Sequence, residues 1–197
     1  MADADRFLRQ VAADLQSLDA RWALVGAFAV GVRSEPRFTR DVDLAVAVDD
    51  DAGAEQLVLA LTQRGYETIA SIEHEASGRI AMVRLIPANA EAATTIVDLL
   101  FASSGIENEI VDGAEDLEVL PGFRARVAGT GHLIALKLLA AGDDRPHDIG
   151  DLRGLVAIAT EADLDDSRRA LGLITERGYN RGRDLAAALD DAIARWR

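Results

Sequence analysis

The chain predicts an α+β fold, a mixed sheet with helices followed by a helical C-terminal lobe. Three observations carry this prediction. Short apolar runs at Trp22–Val25, Val42–Val48, Tyr66–Ile72, Ile80–Ile86 and Thr95–Phe101 read as strands interleaved with helices. From Thr130 onward the apolar spacing is almost wholly helical. Hydrophobic residues make up 49% of the 197 positions, enough for a sizeable core. The expected division is an α/β part over residues 1–128 and a helical part over 129–197.

Each element has a local cause. Phe7, Val11, Leu15 and Leu18 recur at helical spacing between charges, so residues 3–19 predict an amphipathic helix. Gly26 permits a tight turn after the first strand, and Ala27–Arg33 is helical until Pro36 breaks it. The continuous apolar run Val42–Val48 predicts a strand buried on both faces. Asp49-Asp50-Asp51 caps a helix over Ala54–Arg64, which Gly65 ends. A short helix at Glu107–Asp112 precedes an extended piece, Leu117–Val127, interrupted by Pro121-Gly122. Leu133–Ala141, Ile149–Thr160, Leu164–Arg177 and Leu185–Trp196 complete the helical part, with Arg177-Gly-Tyr-Asn-Arg-Gly182 as the last turn.

Composition removes several classes of function. There is no cysteine, so disulfides, thiolate metal sites and cysteine nucleophiles are excluded. No apolar run approaches the roughly 20 residues of a membrane span, and Met-Ala-Asp-Ala-Asp does not resemble a signal peptide. The expected setting is the cytoplasm, without a membrane partner. A net charge of −13, from 34 acidic and 21 basic residues, opposes general binding to a nucleic-acid backbone. Arginines still cluster at Arg33, Arg37 and Arg40, and at Arg177, Arg181 and Arg183, either as a local basic patch or as solvated faces.

Four features carry chemistry. Gly26-Ala27 ends a strand and opens a helix, presenting N–H groups and a positive dipole end to an anion, or serving packing alone. Asp41 and Asp43 lie two apart on a strand and so share a face, where a divalent cation such as Mg²⁺ or Mn²⁺ would offset their repulsion. The alternative is a pair that caps the solvent end of the sheet. Asp98 interrupts the apolar strand Thr95–Phe101, where an uncompensated charge is costly, unless that strand is an edge. Lys137, the only lysine, lies on an apolar helix upstream of Arg145, Asp148 and Asp151. It suits a phosphate, an ion pair with Asp148 or Asp151, or a snorkelling position.

The order Gly-small, Thr-Arg-Asp-Val-Asp-Leu44, a lone strand Asp98, then Leu136-Lys-Leu138 with Arg145-x-x-Asp148-x-x-Asp151-Leu152, resembles the AbiEii/MNT-like nucleotidyltransferases of the polymerase-β-like superfamily. Several of these act as toxins of type IV toxin–antitoxin pairs. The resemblance spans residues ~20–155 and implies a polymerase-β-like fold that transfers NMP from an NTP to an acceptor hydroxyl on tRNA or protein. It implies Mg²⁺ or Mn²⁺ on Asp41, Asp43 and Asp98, with Asp98 also helping the acceptor lose its proton. Gly26, Ala27, Arg40, Lys137 and Asp148 would then face the nucleotide, and a cognate antitoxin becomes a candidate partner.

Two residues depart from the family pattern. Ala27 replaces the usual Gly or Ser, keeping the N–H but losing a hydroxyl. His147 stands where lysine is common and reads better as an exposed helix-start residue than as a base. A rival reading is a non-catalytic nucleotide- or partner-binding module on the same fold, against which the three retained aspartates argue. A nucleotide-sugar glycosyltransferase is disfavoured, because only 40 residues precede Asp41.

Overall fold

The computed structural model describes the chain except residues 1, 36–38, 40, 76, 88–94 and 142–145, and the side chains of residues 2, 3 and 146. Arg37, Arg40 and Arg145, together with Pro36, expected to break the Ala27–Arg33 helix, therefore lie outside the described residues.

The elements run α1 (Ala2–Ser17), β1 (Arg21–Val25), α2 (Gly26–Arg33), β2 (Asp41–Ala47), α3 (Asp51–Thr62), β3 (Tyr66–Glu73), β4 (Ile80–Pro87) and β5 (Ile96–Leu100). They continue as α4 (Glu107–Asp112), β6 (Glu115–Leu120), β7 (Phe123–Val127), α5 (Thr130–Ala140), α6 (Pro146–Ile158), α7 (Glu161–Glu176) and α8 (Leu185–Trp196). Among the described residues, seven strands form one mixed sheet in the order β3-β4-β5-β2-β1-β7-β6. Strand β2 lies antiparallel to β1 and parallel to β5, and β5 lies antiparallel to β4.

Alternation on β2 separates structure from chemistry. Val42, Leu44 and Val46 are buried, joining Leu24, Val97 and Leu99 in the core, while Asp41 and Asp43 emerge on the opposite face. The predicted burial of this strand on both faces is thus right only beyond Asp43. Helices α5 to α8 pack on one another, and α5 and α6 also touch α2, which rests against β1 and β2. The core is continuous from Leu8 and Leu15 on α1 through the sheet to Leu171 and Leu189.

Helix starts are where the sequence reading fell short. Helix α3 begins at Asp51, because the Asp50 carboxylate accepts from the Gly53 N–H at 2.9 Å. Helix α7 begins at Glu161, where Thr160 and Asp163 form a capping box. Apolar periodicity starts a turn later than such polar caps. The extended piece at 117–127 is a hairpin, β6 and β7, turning at Pro121-Gly122.

Candidate active site

Three neighbouring strands bring the charged groups together. On the parallel pair β2–β5, Asp43 is in register with Asp98, and on the antiparallel pair β4–β5, Arg84 is in register with Asp98. Side chains at matched positions share a face and stand close. Asp41, Asp43, Arg84 and Asp98 accordingly line one cleft of about 1170 Å³, whose other walls include Gly26, Ala27, Lys137, Asp148, His74 and Arg181. Strand β5 is interior, so the edge-strand explanation for Asp98 fails.

Gly26 opens α2 with φ +63°, a left-handed conformation that favours glycine. A Cβ at this position would stand 1.8 Å from Asp43 Oδ2 and 2.5 Å from its Cγ. The small-residue turn therefore makes room for the second aspartate of the pair. The Asp43 carboxyl is pushed up from 3.8 to about 6, by burial and by the negative charges of Asp98 and Asp41. Lys137 and Arg84 oppose that rise. Such a site has an electrostatic demand for cationic charge.

Asp98 already has a cation. Arg84 Nε donates to its Oδ1 at 2.8 Å and Nη2 to its Oδ2 at 2.7 Å, a two-pronged pair on a carboxylate only 9% exposed. Among the described residues, no three His, Asp or Glu side chains stand ready as a metal ligand set. The donor chemistry still suits a hard divalent ion. Asp41 and Asp43 offer carboxylate oxygens on one face, and Asp43 is held where added positive charge would lower its pKa.

Lys137 takes the paired option, with both candidate acids at once. Its Nζ lies 2.6 Å from Asp148 Oδ1 and 2.7 Å from Asp151 Oδ2, all three largely buried between α5 and α6. The triad fixes α6 against α5 at the cleft wall. Two Arg183 contacts and one more at Ala141 hold the C-terminal end of α5: Nη1 donates to the carbonyls of Leu138, Leu139 and Ala141. His147 is exposed on the first turn of α6, as expected.

Three contributors were missed by the sequence reading. Arg84 had the same signal as Asp98, a charge inside an apolar strand, but was not paired with it. Glu107 is buried, and its Oε1 accepts from the N–H groups of Ser103 and Ser104 and from the Ser104 hydroxyl, shaping the loop after β5 beside the cleft. His74 on the β3–β4 turn stacks on Tyr179 of the α7–α8 turn at 4.0 Å between centroids. That contact joins two distant turns at the cleft mouth.

The sheet order and the acid-lined cleft define the fold class of the nucleotidyltransferases, and solved structures agree. An antigenic nucleotidyltransferase-like protein from Paracoccidioides brasiliensis aligns with TM-score 0.51 and 19% identity, over 91% of this chain and 88% of its own. The lincosamide antibiotic adenylyltransferase LnuA bound to lincomycin aligns with TM-score 0.50 and 13% identity, over 77% of this chain and 96% of its own. ANT(2″)-Ia in complex with adenylyl-2″-tobramycin gives TM-score 0.50 and 14% identity, over 97% and 98%. No curated protein sequence matches the chain. The model of the nucleotidyl transferase AbiEii toxin family, type IV toxin–antitoxin system, matches residues 6–195, and the chain belongs to that family. It is a nucleotidyltransferase. Nucleotidyltransferases of this fold generally use divalent metals. Among the described residues, no helix is long and apolar enough to cross a membrane.

Proposed function

We propose that the cleft binds an NTP and transfers its NMP to a hydroxyl of a tRNA or protein acceptor, as the toxin of a toxin–antitoxin pair acting in the cytoplasm. The observation that carries this reading is the placement of Asp41, Asp43 and Asp98 on one face of adjacent strands above the Gly26 turn. Asp41 and Asp43 would hold Mg²⁺ or Mn²⁺, with Asp98 completing the set. When bound, such cations neutralise triphosphate oxygens and acidify a hydroxyl. The acceptor oxygen bonds to the α-phosphorus, the α–β P–O bond breaks, and pyrophosphate leaves.

The chain's own residues do the rest. Asp98 would take the acceptor's proton once an oxygen is released from Arg84. The N–H groups of Gly26 and Ala27 open helix α2 towards the cleft and would donate to phosphate oxygens. Arg40 is assigned to phosphate by its place next to Asp41 in the sequence alone. Lys137, neutralised by Asp148 and Asp151, serves the nucleotide chiefly by fixing the cleft wall.

The test uses each α-labelled NTP with Mg²⁺ or Mn²⁺, offered with total tRNA or cell extract. The parent is expected to label one acceptor class. Asp41→Asn with Asp43→Asn should slow labelling on the order of 10³-fold or more, as loss of several kcal/mol of charge stabilisation requires. Parent-rate labelling by that double variant would remove the assignment. Label on a small hydroxylated antibiotic, with none on tRNA or protein, would move the acceptor to the class named for LnuA and ANT(2″)-Ia.

A further inference from the structure

Arg84 stands in a revealing place. Its guanidinium holds both oxygens of Asp98, feels the charges of Asp41 and Asp43, and lines the cleft with about a third of its side chain exposed. It thus supplies, from the protein, the positive charge that the acid cluster demands. A divalent cation shared by Asp43 and Asp98 would need an Asp98 oxygen that Arg84 already holds. Two cations on one buried carboxylate repel each other, so occupancy by the metal and full pairing with Arg84 compete. A guanidinium displaced from Asp98 has its anchor on β4 and its head in the cleft, where the phosphates would lie. Its planar fork matches a phosphate as well as it matches a carboxylate.

We propose that Arg84 is an exchangeable latch: it occupies Asp98 in the resting protein, yields that carboxylate to a divalent cation, and then binds the triphosphate of the incoming nucleotide. The inference rests on the metal-dependent reading above. It gives the empty-handed protein a defence against its own charge repulsion, and it makes phosphate binding follow metal entry. Arg84 is a binding and positioning residue on this account, and Asp98 remains the group that faces the acceptor.

The experiment titrates Mn²⁺ alone, read by the electron-paramagnetic signal of free Mn²⁺, into the parent, Arg84→Met and Arg84→Lys. Tripolyphosphate is then titrated by calorimetry in the presence of Mn²⁺. Removing the latch is expected to tighten Mn²⁺ binding about tenfold in Arg84→Met, since a competing state is removed. Tripolyphosphate should bind that variant about tenfold more weakly, through loss of a charge-assisted contact. Arg84→Lys keeps a charge without the fork and should fall between the two in both titrations. Circular dichroism and thermal unfolding establish that each variant is folded, and Arg84→Lys carries the test should Arg84→Met not fold. Unchanged or weaker Mn²⁺ binding in the folded variants would overturn the latch and leave Arg84 as a support for Asp98. Failure of the parent itself to bind Mn²⁺ would instead overturn the metal-dependent reading, and the latch with it.

Discussion

Gly26→Ala isolates the contact on which the acid pair depends. The new Cβ would fall 1.8 Å from Asp43 Oδ2, 2.5 Å from Cγ and 2.7 Å from Cβ of that aspartate. Ordinary heavy-atom contact begins near ~3.5 Å, so the carboxylate has to retreat by more than about 1 Å. Displacing a reacting group by ~1 Å reduces turnover on the order of 10²-fold. The backbone adds its own penalty, since φ +63° at a non-glycine residue costs roughly 1–2 kcal/mol. For a chain of this size that lowers Tm by about 2–8 °C. The variant should therefore remain folded at 25 °C, transfer NMP about 10²-fold more slowly, and bind Mn²⁺ more weakly. Kinetics separate this role from phosphate cradling, because a lost backbone contact to bound NTP raises KM, whereas a misplaced Asp43 lowers kcat. A folded Gly26→Ala protein with parental kcat and parental Mn²⁺ affinity would refute the argument.

Lys137→Met removes the ammonium held by Asp148 and Asp151, in a site where Asp151 is 4% exposed. The expected loss is ~3–5 kcal/mol, a Tm drop of roughly 10 °C, and adding Asp148→Asn and Asp151→Asn should recover most of it; a melt unchanged by the single substitution would show the triad to be idle. A second expectation concerns His132 on α5, whose imidazole is pushed below its usual 6.5 by burial, against the pull of Asp166 and Glu109 and with help from Arg169. The unfolded chain then takes up the proton first as pH falls through 6.5, so urea stability should decline from pH 7.5 to 5.5, and His132→Gln should lack that component of the slope.

The strand order could not be read from the residues, but most elements could, because each carried its own periodicity. Helix α8 was legible at both ends, whereas α3, α5, α6 and α7 each begin three residues earlier than their apolar pattern. Polar caps and first turns do not show in that pattern. At the site, Asp41 and Asp43 were legible together, since two residues apart on a strand suffices to place them on one face. Arg84 was not, because its meaning depends on a register between β4 and β5 that no local rule sets. Lys137 stood out by its uniqueness in the composition, but its pairing with both Asp148 and Asp151 depends on the packing of α6 on α5.

The burial of Lys137 has a practical side. With one lysine in 197 residues, the chain carries a single side-chain amine, and that amine is walled in by two carboxylates at the edge of the cleft. Any reagent or modifying enzyme that targets lysine side chains has one address on this protein, an amine already held by two carboxylates. Side-chain acylation therefore reports on the loosening of that triad, undiluted by signal from other side chains.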